Sequence, residues 1–155
     1  MLKVVLVATG MAVLLTVAVA QNNLTPTMPG SPAPVWQRMI QLDDGRTFVT
    51  DGGMAIDAAL VKPPLLPNNA PVSGKIIEKY LSADLPNEFS LSQLSPRDWR
   101  TYAAPSGILL NATYIDFVRR TLPPRQVRLR MKGDLDPVVI AVDGKTIGVM
   151  MPVKR

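Results

Sequence analysis

Six basic side chains crowd one stretch of the C-terminal half: Arg119, Arg120, Arg125, Arg128, Arg130 and Lys132. Along an extended chain, residues 128, 130 and 132 project from one face. Such a stripe could neutralise the phosphates of DNA or of another polyanion. No aromatic residue interleaves with these charges, so base stacking is not expected on this strand. An ordinary solvated strand face is the plain alternative. Carboxylates cluster elsewhere, with Asp43, Asp44, Asp51 and Asp57 around two turns. They lack the alternating spacing, central glycine and closing Glu of a calcium loop. Asp-Gly turns account for Asp44 and Asp51 without a ligand. Glu78, Glu88 and Asp98 stand apart, and no acid/base pair of the glycosidase kind is evident. Ser73-Gly74-Lys75 and Ser106-Gly107 lack the flanking glycines of a phosphate loop or a nucleophile elbow.

What is missing narrows the chemistry further. The 155 residues include no cysteine and no histidine. Disulfides, thiolate nucleophiles, zinc knuckles, Ser-His-Asp triads and His/carboxylate metal sites are therefore excluded. Catalysis would have to run on carboxylates, Lys, Tyr, Ser or Thr. The expectation is a binding role rather than an enzymatic one, with no cofactor and no metal. The net charge is +5. Met39, Met54, Met131, Met150 and Met151 sit in apolar runs; they read as core filler or as an adaptable peptide-binding groove.

The elements that must position these groups are short. Two Asp-Gly turns, at Asp43-Asp44-Gly45 and Asp143-Gly144, each join two runs of strand character and predict hairpins. Met54–Leu60 reads as a strand or a short helix. Val61 to Pro71 is a proline-broken loop. Ser73 is placed to cap a helix over Gly74 to Leu81, with Ile76, Ile77, Tyr80 and Leu81 as one apolar stripe. Ser95-Pro96 reads as the start of a helical turn through Arg97, Asp98 and Trp99. Gly107 to Leu110 looks like a strand. Asn111 is a good N-cap for a helix from Ala112 to about Leu122, with Ile115, Val118 and Leu122 on one face. Asp116 precedes Arg119 and Arg120 in the order that favours helix ion pairs. Gln126 to Met131 alternates apolar and basic residues and predicts a half-buried strand. The fold class expected is α+β, an antiparallel sheet with two or three short helices.

Residues 1–20 have a single charge, Lys3, then an apolar run and Ala18-Val19-Ala20 before Gln21. That order is the pattern of a secretory signal; a retained anchor and a buried N-terminal strand are the competing readings. Residues 21–34 hold four prolines and read as a linker. Residues 35–155 are then a single domain. Asn23-Leu24-Thr25 and Asn111-Ala112-Thr113 fit the glycosylation sequon.

Two blocks, 50–81 and 108–155, resemble the C-terminal part of the bacterial DNA polymerase sliding clamp (beta subunit). The residues that carry the likeness are Thr50-Asp51-Gly52 after a strand and the helix around Lys75 to Leu81. With them go Asn111-Ala112-Thr113-Tyr114 opening a helix, the strands VRLRMKGDLDPVVI, and the terminal Met151-Pro152-Val153-Lys154. In clamps, a Thr-Asp-Gly turn and the Met-Pro segment line a hydrophobic pocket that receives short peptide motifs of polymerases and the clamp loader. The resemblance implies a single clamp-like domain with Thr50, Gly52, Met151 and Pro152 in that pocket, and Val153 and Lys154 at its rim. The apolar pocket expected for a peptide segment is then built around Met54, Met150, Met151 and Pro152.

Two functions follow, from different classes. One is a clamp-like, non-enzymatic binding module with a peptide pocket and a basic strand face, acting in the cytoplasm. The other is a small exported domain, periplasmic or secreted, that binds an envelope or secreted partner. The partner classes expected are a protein or peptide, DNA or another polyanion, and a second copy of the chain.

Overall fold

The computed structural model describes residues 34–61 and 70–154. The signal-like segment, nearly all of the proline-rich linker, the Asn23 sequon and most of the proline-broken loop lie outside the described residues.

Among the described residues, eleven strands and two α-helices follow in chain order. Strands β1 (Arg38–Gln41), β2 (Thr47–Thr50) and β3 (Met54–Asp57) form an antiparallel meander. The Asp-Gly turn behaves as expected. Gly45 takes φ +87°, its N–H bonds to Leu42 O at 3.1 Å, and Leu42 N bonds to Arg46 O at 2.9 Å. This is a tight turn closed by one left-handed glycine. Met54–Leu60 is neither strand nor helix throughout, because Asp57 caps a 3-10 turn over Ala58–Leu60 by accepting from Ala59 N.

Strand β4 (Val72–Ser73) pairs in parallel with β1 and leads into α1 (Lys75–Leu81). The helix N-cap is Gly74, not the expected Ser73. A side chain at position 74 would collide with Leu42 and Gln41, and this close approach places the helix start against β1. Strand β5 (Asn87–Ser90) is followed by a 3-10 turn over Leu91–Gln93 with a capping box.

Strands β6 (Ser95–Pro96), β7 (Thr101–Ala103) and β8 (Leu109–Asn111) make a small antiparallel sheet. The helical turn expected at Ser95-Pro96 is thus overturned. Both residues pair with Tyr102 and Ala103, and cross-strand pairing outweighs the local start signal. Pro96 lies on an edge strand, where a missing N–H is tolerated. Helix α2 (Ala112–Thr121) begins as expected, with Asn111 Oδ1 accepting from Thr113 N at 2.8 Å. Strands β9 (Val127–Met131), β10 (Val138–Val142) and β11 (Lys145–Met150) finish the chain. The second hairpin turn has Asp143 at φ +49° and Gly144 at φ +79°, two left-handed residues as its twist requires.

The main sheet has eight strands in the order β4-β1-β2-β3-β11-β10-β9-β5. It has two buried faces. On one, Val49, Met54, Ile56, Leu129, Val138, Ile140 and Met150 pack with Ile115 and Val118 of α2 and with Tyr102 and Leu110 of the small sheet. On the other, Ile40, Phe48, Ala55, Val139 and Val149 pack under Ile77, Tyr80 and Leu81 of α1. The period-2 alternation of side chains divides the strand residues between the two faces. Trp36 seats the start of the domain, its ring meeting Phe117 edge-on at 5.4 Å. The α+β expectation holds.

Candidate functional site

The Thr50-Asp51-Gly52 turn is built by its own side chains. Thr50 Oγ1 donates to Met54 O at 2.7 Å and accepts from Gly52 N at 3.0 Å. Asp51 Oδ1 accepts from Gly53 N at 3.0 Å and from Met54 N at 2.9 Å. A third donor, the Tyr114 hydroxyl, reaches the same oxygen from α2 at 3.1 Å. Burial, helped by the Asp51 charge and hydrogen bond, pushes the Tyr114 phenol up to about 12. Gly52 sits at φ +94°, where a side chain is strained. At Gly53 any Cβ would run into the Tyr114 hydroxyl, so the turn and α2 fit only with glycine there.

Beside this turn lies a groove of about 270 Å³. Its strand side is formed by Thr50, Gly52, Met54, Val149 and Met151, and its helix side by Ile76, Ile77 and Tyr80. Met54 also lines it, but its buried side chain lies on the opposite face of the sheet with Met150, its cross-strand partner, and Ala55 and Val149 face α1 here. Ile76 is 76 % exposed and Met151 43 %, so two large apolar side chains stand open at its mouth. Met151 is held in place by its backbone, whose N–H bonds to Gly53 O at 2.8 Å. Lys79 Nζ lies over the Tyr80 ring at 4.7 Å.

Of the residues expected in a peptide pocket, four converge here: Thr50, Gly52, Met54 and Met151. Pro152 is half-buried and does not line the groove. Val153 and Lys154 turn to a second groove of about 510 Å³, with Ser106, Gly107, Leu109, Asp134 and Leu135. There Val153 N bonds to Leu109 O at 2.8 Å. Met150 points the other way, into the core. Ile76, Ile77, Tyr80, Gly53 and Pro137 also line the first groove and were not among the expected site residues. One signal for them was available. Two adjacent isoleucines on a short helix cannot both face the sheet, and Ile76 is the one left over.

The basic cluster does not stay together as a surface. Arg119 is buried, with its guanidinium 4.6 Å from the Tyr102 ring centroid, donating to Leu91 O at 3.1 Å and 3.9 Å from Asp116 Oδ1. Asp116 in turn accepts from the Tyr102 hydroxyl at 2.9 Å. This is an internal cluster, and it removes Arg119 from any polyanion face. Arg128 and Arg130 do share one face of β9, but Glu88 of β5 meets both, at 3.7 and 2.6 Å. Arg120, Arg125 and Lys132 remain exposed. An aromatic-basic pair does occur on the surface, in a different place. Trp99 is 74 % exposed at the β6–β7 turn, with the Arg100 guanidinium 3.9 Å from its ring centroid.

The clustered carboxylates have local duties. Asp44 binds Arg46 at 2.7 Å, Asp51 closes its own turn, and Asp57 caps the 3-10 turn. The Asp44 carboxyl is held below its ordinary range, chiefly by the backbone N–H of Arg46.

No family model, curated protein or solved structure matches the chain.

Proposed function

We propose that this protein is a non-enzymatic binding module, a single clamp-like domain whose groove between the Thr50-Asp51-Gly52 turn, α1 and Met151 receives a short apolar peptide segment of a partner protein. One observation carries the reading. Residues far apart in sequence, Thr50 to Met54 and Met151, meet in one groove with open apolar side chains at its mouth. Met and Ile side chains suit such a role, because they offer apolar area without demanding polar partners. The turn is bonded to the core through Tyr114, so the groove is preformed and binding need not order it. Any polyanion contact falls to Arg120, Arg125 and Lys132, since Glu88 offsets part of the charge of Arg128 and Arg130. The groove works equally in an exported protein and in a cytoplasmic one.

The test is fluorescence anisotropy with labelled peptides of Ser/Gly background carrying one Phe or Leu. Saturable binding is expected, weakened roughly tenfold or more by Ile76→Ser or Met151→Ser, the worth of one buried apolar side chain. Binding that ignores both substitutions overturns the reading.

A further inference from the structure

We propose that the turn between β6 and β7, with Trp99 at its tip and Arg97 and Arg100 beside it, rests in the headgroup layer of an anionic lipid bilayer. The turn shares no residue with either groove, and the contact does not depend on the peptide-binding reading.

The turn stands clear of the fold. Ser95 to Arg100 are six consecutive exposed residues, the longest such run among the described residues. Trp99 is the one exposed aromatic among them. A tryptophan ring joins a large apolar area to one polar N–H and settles where a bilayer meets water. The Arg100 guanidinium lies over the ring, and Arg97 opens the turn, its N–H bonded to Thr101 O at 2.9 Å. Long arginine stems let such groups meet lipid phosphates while the ring sinks between the headgroups. Asp98 is the acid of the turn. Its Oδ1 accepts from Arg100 N at 2.8 Å, and that bond chiefly holds its carboxyl below the ordinary range. It stays ionised at neutral pH, so the turn carries two cations and one anion. A nucleic-acid strand needs successive aromatic faces on which to stack, and no second exposed aromatic stands beside Trp99 among the described residues. A bilayer needs only the one ring and its cationic flanks.

The turn also lies close to where the chain enters the domain. Arg100 O accepts from Ala112 N, at the first residue of α2, and Trp36 meets Phe117 on the same helix. The five residues between those two contacts rise roughly 7.5 Å. Val35, just before Trp36, is the other large apolar side chain left exposed outside the grooves. Ahead of it in sequence, Val4 to Ala20 is apolar apart from Thr9, Gly10 and Thr16, the composition of a segment that enters a bilayer as signal or anchor. Burying one ring is worth about 2 kcal/mol, too little to hold a protein on a membrane alone. Trp99 therefore orients a domain whose apolar run has already reached the bilayer.

The experiment uses the full chain and vesicles of phosphatidylcholine, alone or mixed in equal parts with phosphatidylglycerol, each made with and without brominated acyl chains. The chain has two tryptophans and Trp36 is buried, so changes in emission report on Trp99. On the mixed vesicles the emission should move to shorter wavelength, and bromine should quench it. Trp99→Ser should abolish both effects while the chain still floats with the vesicles. Trp99 is exposed, so this substitution opens no cavity. Arg97→Ala should lower the ratio of inserted to free Trp99 about fivefold, the worth of one cation near an anionic surface. The proposal is overturned if the chain floats with vesicles while its emission and quenching stay unchanged, or if no vesicle binds it. Equal quenching on neutral vesicles overturns the anionic bilayer. An emission shift with single-stranded DNA and none with vesicles overturns the lipid contact in favour of a nucleic-acid one.

Discussion

Replacing Tyr114 with Phe removes one hydroxyl from the point where α2 meets the Thr50-Asp51-Gly52 turn. The hydroxyl donates to Asp51 Oδ1 at 3.1 Å, and the phenol titrates at about 12 instead of its ordinary value of 10.0. Taken at face value, a shift of that size corresponds to roughly 2.7 kcal/mol. Tyr114 is only half-buried and the largest cause of the shift is desolvation of the phenolate, so the hydrogen bond itself is worth about 1 kcal/mol, a typical net value. The sign follows from the protonated form being favoured in the folded state. The contribution is complete below the unfolded value of 10.0 and is lost as pH rises through about 12. Tyr114→Phe should therefore cost about 1 kcal/mol at neutral pH, a few degrees in Tm. Urea titrations across the alkaline range should then show the two proteins converging as the wild type loses this term. The ultraviolet phenolate signal should lose its latest-titrating component in the variant. Equal stability at neutral pH, or an unchanged late phenolate component, refutes the assigned hydrogen bond.

Three other substitutions probe the same architecture. Gly53→Ala pushes a methyl group into the Tyr114 hydroxyl and should cost about 1–3 kcal/mol as an overpacked contact; in the Tyr114→Phe background the cost should drop, a coupling that a double-mutant cycle by urea unfolding reads directly. Asp116→Ala leaves the buried Arg119 guanidinium without its nearby carboxylate and should cost about 3–5 kcal/mol in chemical denaturation; a loss below about 1 kcal/mol would mean the cluster is hydrated. Asn111→Ala removes the cap of α2 and should cost about 1 kcal/mol, measured the same way.

Much of the fold was legible because several elements carry local signals that tertiary contacts did not override. Both Asp-Gly hairpins formed, since each needs left-handed residues that Gly45, Asp143 and Gly144 supply. Asn111 capped α2, and the alternation of β9 marked its buried face correctly. Failures arose where a partner distant in sequence decides. Ser95-Pro96 looks like a helix start until Tyr102 and Ala103 pair with it. Asp116 and Arg119 look like a surface helix pair, because nothing local tells that Tyr102 and the Leu91 carbonyl will enclose them. The basic strand face was read from alternation alone, and Glu88 on the neighbouring strand was invisible to it. At the groove, the clamp resemblance suggested Thr50, Gly52 and Met151, and these three do line one groove. Val153 and Lys154 were placed at its rim by the same resemblance, but they line the other groove.

The C-terminal tail explains why stability and binding place different demands on the same residues. Its backbone joins the large sheet to the small one, through Met151 to Gly53 and Val153 to Leu109. Those bonds use only main-chain atoms, so stability would be served as well by polar side chains at 151 and 153. The same holds for Ile76, whose neighbour Ile77 already meets the sheet, and for Leu135 in an exposed turn. Leaving Ile76 and Met151 open at one groove and Leu135 and Val153 at another forgoes solubility and gains nothing within the fold. Meanwhile Asp51 and Tyr114 hold the groove floor to the core, so the surface is rigid where it is apolar. A rigid apolar surface loses little conformational entropy on binding, and a partner segment can convert most of its buried area into affinity. Rigidity and open apolar area coincide at the tail, and that coincidence separates it from the other exposed apolar residues, Val35 and Trp99.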